Sequence, residues 1–270
     1  MNKIFIALIL LLPILISSCS KNETEEIKSV QTSNSENIKF DFTPVNEFMQ
    51  KYVKGGNVNY EQVMDDNALN KYITQVRNTE PYNIEDGNER LAFWINAYNA
   101  FTIKLITDHY PLGSILEIEE KTGTDPWKIN FIEMAGGRMF SLDEIEKKII
   151  IPDYNDPRIH YALVCAAESC PELISEAYLP SKLDEQLNTQ AAIFLDDQEK
   201  NYLDKKENAL YLSTIYKWYA RDFVKNDTTV KNHILKYINE GDKNFILQNN
   251  TEDINYIDYS WKLNDAEKNN

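Results

Sequence analysis

The run Leu91-Ala-Phe-Trp-Ile-Asn-Ala-Tyr-Asn-Ala-Phe-Thr102 constrains this chain more than any other stretch. It lies within a helical span predicted from Glu89 to about Thr107, ended near His109-Tyr110-Pro111-Leu112-Gly113. Helical spacing gives Trp94, Ile95, Tyr98 and Phe101 to packing and lets Asn96 and Asn99, three apart, share a face. Asparagine is a poor interior helix residue because its amide competes for backbone hydrogen bonds. Two of them on an apolar segment must meet something specific: a catalytic ring, an oxyanion, or buried carbonyls of neighbouring loops. Glu89 reads as a first-turn carboxylate of the same helix.

Around this helix the pattern is mixed. A short helix from Pro44 to Val53 carries Val45, Phe48, Met49 and Tyr52 as its apolar stripe, ended by Gly55-Gly56, with Val58 to Tyr60 extended. A second carries Leu69, Tyr72, Ile73 and Val76. Ser141-Leu-Asp-Glu144 is a capping box before Ile145, Ile149 and Ile150. Ser181 is a candidate cap for a helix bearing Leu183, Leu187, Ala191 and Phe194. Leu210 to Leu212 reads as extended, followed by helices near Ile215 to Val224 and Val230 to Ile238, and a strand-like tail between Ile254 and Leu263. Helices exceed strands, and helical spans separate the strands. The fold class predicted is α+β: a mainly helical domain around a small mixed or antiparallel sheet.

The N-terminus speaks to compartment. Lys3, the apolar core Ile4 to Ile16, and Ile16-Ser17-Ser18-Cys19 resemble a bacterial lipoprotein signal, with residues 1–18 removed and Cys19 acylated. Residues 19–39 form a polar tether. The group Glu23, Glu25 and Glu26 resembles signals that send some lipoproteins to the outer surface. The expected location is the bacterial outer membrane, lipid-anchored through Cys19 and facing periplasm or surface, where disulfides can form. Residues 40–265 are expected to make a single globular domain, with 266–270 a tail. With 43 acidic against 28 basic residues and no Lys/Arg stripe, a nucleic-acid partner is not expected.

Chemistry concentrates in Ile159-His-Tyr-Ala-Leu-Val-Cys-Ala-Ala-Glu-Ser-Cys-Pro-Glu-Leu173. Ile159 to Cys165 reads as a buried strand with His160 its one ionisable member. Ala166 to Ser169 can turn the chain, and Cys170-Pro171 can begin a helix whose dipole would favour a thiolate. Cys165 reads as a small core residue, or as the disulfide partner of Cys170. Asp222 reads as a surface carboxylate or as an orienter of an imidazole. His160, Cys165 and Cys170 could supply three metal ligands, yet no partner motif gives the regular spacing of a zinc site. His109 and His233 read as terminus or surface residues. There is no Walker loop or dinucleotide fingerprint, and Gly136-Gly137 before Arg138 reads as a turn, so no metal or cofactor is expected.

Several pieces occur in an order that resembles the DUF547 family. They are Asn59-Tyr60, Leu91 to Thr102, Tyr110-Pro111, Ser141-Leu-Asp-Glu-Ile-Glu146 and Asp156-Pro-Arg-Ile-His-Tyr-Ala-Leu-Val-Cys165. Ser169-Cys-Pro171, Ala177-Tyr178, Trp218-Tyr219 with Asp222-Phe223, and Tyr259-Ser-Trp-Lys-Leu-Asn264 continue it over about residues 42 to 264. Val164 and Lys147 depart from residues common in that family, asparagine and histidine, so chemistry is not placed on them. The composition also resembles papain and transglutaminase enzymes, in which a cysteine at the start of an early helix precedes a histidine on a strand. Here the early helix offers Asn96 and Asn99, and the thiol follows His160; geometry rather than chain order defines such a site.

Two functions follow as expectations. One is a cysteine-dependent acyl hydrolase or transferase acting on an amide in a peptide or envelope fragment. In it Cys170 attacks, His160 carries the proton, and Asn96 or Asn99 steadies the ring or the oxyanion. The alternative is a noncatalytic envelope binding or scaffold lipoprotein with a Tyr/Trp-lined cleft and a structural Cys165-Cys170 pair.

Overall fold

The computed structural model describes residues 39–227 and 229–267. The expected leader, Cys19 and the tether through residue 38 lie outside the described residues. Helix α1 (Thr43–Tyr52) buries Val45, Phe48, Met49 and Tyr52, and α2 (Ala68–Arg77) buries Leu69, Tyr72, Ile73 and Val76. In both, the buried residues recur at the helical period, and the two stripes face each other across the core.

Helix α3 (Gly87–His109) is 23 residues long. Asp86 caps it by accepting from the Glu89 N–H at 2.7 Å, and Glu89 in its first turn accepts from the Phe40 N–H at 2.6 Å. Every residue from Leu91 to Ile103 is buried. A helix buried on all sides must sit inside the core, and here it supplies the floor on which the remaining segments lie.

The capping box at Ser141 forms as expected, with Ser141 Oγ accepting from Glu144 N–H and the Glu144 carboxylate accepting from Ser141 N–H. Beyond it the helix widens to π geometry over Ile145–Ile150, a feature the apolar spacing did not signal. Such widened turns are frequent at functional sites, and this one carries a buried carboxylate, Glu146.

Helix α4 (Leu183–Asp196) starts one residue later than a Ser181 cap would place it; Lys182 holds the cap position and gives no side-chain bond. Strands β1 (Tyr202–Asp204), β2 (Ala209–Ser213) and β3 (Asp253–Ile257) form a mixed sheet. Leu210 of β2 opposes Leu203 of β1 in the antiparallel ladder and Ile254 of β3 in the parallel one. A parallel pair needs a long crossover. It contains the Ile215–Trp218 turn, α5 (Ala220–Asp227), Val230–Ile234 and α6 (Glu240–Asn249). The span expected near Ile215 to Val224 is therefore two helices, broken at Tyr219. Together these elements bury a second, smaller cluster around Tyr161, Phe194, Tyr216 and Phe223.

Two expectations fail in the 159–173 segment. Ile159 to Cys165 is no strand: Pro157–Tyr161 is a 3-10 helix, started by Asp156, which accepts from the Arg158 N–H at 2.9 Å. Beyond it, Asn99 does what a neighbouring strand would have done. Its amide donates to the Ala162 carbonyl at 2.9 Å and its oxygen accepts from the Val164 N–H at 3.0 Å. Nor does Cys170-Pro171 open a helix; the chain stays irregular and extended, and Leu173 bridges to Gly56. Gly56 has φ 77°, and an added Cβ would lie 3.2 Å from that of Glu172, so glycine permits this approach.

The closing segment crosses back over the domain. Leu263 N–H donates to the Gly113 carbonyl, Asn264 N–H to Ala166 and Val58 N–H to the Asn264 carbonyl. These bonds fix Tyr259 and Trp261 against the 165–170 turn.

No helix of the described residues is long and apolar enough to cross a membrane.

Candidate functional site

A cavity of about 280 Å³ opens where α3, the π-helical turn, the 159–171 segment, the Ile215–Trp218 turn and the closing segment meet. Each element delivers a residue from one of the sequence stretches singled out above: Tyr98, Glu146, His160, Trp218 and Trp261, with Cys165 and Cys170 beside them.

The 3-10 turn decides where His160 points. Successive side chains on such a turn are about 120° apart, so His160 and Tyr161 diverge. Tyr161 enters the second core, where its hydroxyl meets Tyr216 and His233 Nε2. His233 is thus fully buried rather than a surface residue. His160 turns to the cavity, stacks on Tyr219 at 4.0 Å and places Nε2 2.9 Å from Asp222 Oδ2. Asp222 is therefore the orienter of an imidazole. The bond from His160 holds the Asp222 carboxyl below its usual range.

Cys165 and Cys170 are joined by a disulfide, their Cα atoms 6.2 Å apart. Cys170 N–H closes the turn onto the Ala167 carbonyl, and Ala166 takes a left-handed φ of 58°. Such a backbone is strained for a residue with a Cβ. The Tyr259 hydroxyl lies 2.9 Å from the Cys165 sulfur and 3.2 Å from that of Cys170. With no helix beginning at Cys170, the dipole that was to favour its thiolate is missing.

Asn96 and Asn99 stand away from the cavity chemistry. Asn96 donates to the Ala92 and Tyr178 carbonyls and accepts from the Tyr178 N–H at 3.0 Å. Asn99 donates one N–H to the Ala162 carbonyl and accepts from the Val164 N–H. Of the uses considered for them, the satisfaction of buried backbone is the one their contacts meet, and neither residue lines the cavity.

What sequence reasoning missed is the acid of the site. Glu146 is 5% exposed and accepts from Tyr98 Oη at 3.1 Å. Burial first, then this carboxylate, push the phenols of Tyr98 and Tyr219 far above their ordinary range. A glutamate next to an isoleucine in a capped helix gives no signal of its own; the signal was its place in a stretch chosen on other grounds. The opposite wall is aromatic. Trp261 lies 5.5 Å from Trp127, 5.8 Å from Trp218 and 4.6 Å from Tyr259.

Among the described residues, no group of three or more His, Cys, Asp or Glu is placed to hold a metal ion. Fold and site define a mainly helical α+β domain with an aromatic-walled cavity, one edge acidic and one edge bearing sulfur. Residues 83–195 match the family described as "Protein of unknown function, DUF547". The match takes in Glu146, His160 and both cavity cysteines, and ends before Trp218, Tyr219, Tyr259 and Trp261. No curated protein and no solved structure matches the chain.

Proposed function

We propose that this protein is a cell-envelope lipoprotein whose globular domain binds a small envelope ligand or peptide segment without transforming it. The observation that carries the reading is a single cavity in which the aromatic wall is exposed while the sulfurs are bonded to each other. Export and anchorage rest on the Lys3 to Cys19 leader, acylation of Cys19 supplying the membrane partner. A bonded cysteine pair fits an oxidising compartment, at the bacterial outer membrane facing periplasm or surface. Tryptophan and tyrosine faces give contact area at small entropic loss, which suits recognition.

The test is direct because three of the four tryptophans line the cavity and Trp94 does not. In indole N–H spectra of the full chain, a bound peptide or envelope fragment is expected to shift Trp127, Trp218 and Trp261 and leave Trp94 in place. If no fragment moves those three, the binding reading fails.

A second reading is favoured by the His160–Asp222 pair. With the disulfide reduced, the Cys170 thiol would share the cavity with an imidazole already oriented by a carboxylate, the arrangement of a thiol acyl hydrolase or transferase. The likeness to papain and transglutaminase enzymes belongs to this reading alone. Labelling by an electrophilic acyl probe, abolished by Cys170→Ala and by Cys170→Ser, would support it over simple binding.

A further inference from the structure

We infer that the cavity binds an organic ammonium group on a short aliphatic chain, with Glu146 as counter-charge and the Trp218, Tyr259 and Trp261 rings as its cation-holding wall. This rests on the cavity being a binding site and names what it takes.

The charges at the rim leave one carboxylate over. Lys128 pairs with Asp125 at 2.8 Å, and Lys147 pairs with Asp143. Asp222 is paired with His160 Nε2 at 2.9 Å. Glu146, the most buried of the lining carboxylates, makes no ion pair among the described residues and is held by the neutral hydroxyls of Tyr98 and Tyr219. A buried carboxylate lacking a cation is unfavourable, and a cation arriving from outside relieves it. The turn that carries it is π-helical, a geometry frequent at functional sites, and it sets Glu146 in the cavity lining.

The aromatic wall selects the form of that cation. Trp218 and Tyr259 are inclined at 52°, Tyr259 and Trp261 at 54°, and Trp127 and Trp261 at 63°. Trp218 and Trp261 lie nearly parallel, at 22°, so the packed rings form an angled wall whose faces and edges both border the cavity. Indole and phenol faces attract a compact cation through their quadrupoles, most strongly where water is displaced. At about 280 Å³ the space is below that of most drug-sized sites, so an alkylammonium or a lysine-type side chain fits and a folded partner does not.

Ammonium groups of this kind come either as free diamines or on peptides. Nα-acetyl-lysine methylamide and 1,5-diaminopentane represent the two sources, Nα-acetyl-norleucine methylamide is the neutral isostere, and N-acetylglucosamine tests the sugar alternative. Each is titrated against the full chain while the indole signals are followed. The lysine derivative is expected to move Trp127, Trp218 and Trp261, not Trp94, and to bind at least about tenfold tighter than the norleucine derivative. Tighter binding of the diamine than of the lysine derivative would assign the site to free amines, the reverse to peptides. Glu146→Gln, which keeps shape and an oxygen for Tyr98, is expected to abolish the preference for charge. Trp218→Leu, at a 49% exposed position that tolerates change, is expected to weaken the lysine derivative severalfold even if Glu146→Gln does not fold. Equal binding of the norleucine derivative, or a charge preference that survives Glu146→Gln, overturns the ammonium assignment while the cavity remains a binding site. Binding of N-acetylglucosamine alone has the same meaning. Silence of all four compounds sinks both.

Discussion

Asn99 and Glu146 are both buried polar side chains near the 159–171 segment, yet they differ in what is left over. On α3 each amide has donor and acceptor matched by backbone, so Asn96 holds Tyr178 and Asn99 holds Ala162 and Val164. Across the cavity Glu146 has the Tyr98 and Tyr219 hydroxyls but no cation among the described residues, and aromatic rings line the opposite wall. The first arrangement is matched by the fold's own backbone; the second leaves a carboxylate without a cation among the described residues, which the proposed ammonium would supply. A buried polar residue thus marks a site only when its bonding capacity is not already filled.

The largest effect that would sharpen this contrast is at Asn99. Replacing it by alanine leaves the Ala162 carbonyl and Val164 N–H without partners, and urea denaturation is expected to register a loss of about 3 kcal/mol. A loss below about 1 kcal/mol would put Asn99 on the functional side instead.

Next comes the cysteine pair. Cys165→Ser with Cys170→Ser removes a cross-link closing a short loop, and is expected to lower stability by about 2 kcal/mol, a difference that disappears when both proteins are measured in reductant. An unchanged midpoint without reductant would mean the sulfurs are not joined in solution.

Asp222→Asn is expected to lower stability by about 1 kcal/mol at neutral pH, since the pair with His160 is partly solvated. The sign with pH follows from the direction of the shift. The Asp222 carboxyl is held below its ordinary value when folded. Its contribution is present above the unfolded value near 4 and is lost as pH falls through the folded one. Wild-type and variant melting temperatures should therefore converge on acidification below about pH 4.

Glu146→Gln is the smallest and opposite in sign. Replacing a buried carboxylate that has no ion-pair partner among the described residues, while retaining the Tyr98 contact, is expected to leave stability unchanged or raise it by up to about 1 kcal/mol. A loss of several kcal/mol would place Glu146 with the asparagines.

The sequence was readable where a single period and a single partner decide structure. The stripes of α1 and α2 and the capping box at Ser141 follow from local spacing, and the structure repeats them residue for residue; α3 forms where expected, two residues longer at each end and buried well beyond the four packing residues its spacing singled out. It misled where a distant side chain replaces a regular partner. Ile159 to Cys165 has the apolar content of a strand, but Asp156-Pro157 starts a tight turn, and the bonds of a missing neighbour come from Asn99 on another element. His160, Cys165 and Cys170 were identifiable as members of one site because they are close in sequence. Glu146, Tyr219, Tyr259 and Trp261 join them only through the fold, by a π turn, a helix break and a closing segment that crosses the domain. Local sequence leaves Asp222 open between surface carboxylate and imidazole orienter for the same reason, since its partner lies 62 residues away.

The state of the sulfurs separates binding from thiol chemistry most directly, and mass mapping of free thiols on the native full chain reads it. The account predicts that Cys165 and Cys170 resist alkylation until reductant is added and are then modified together. Alkylation of Cys170 in the untreated, folded protein would contradict it.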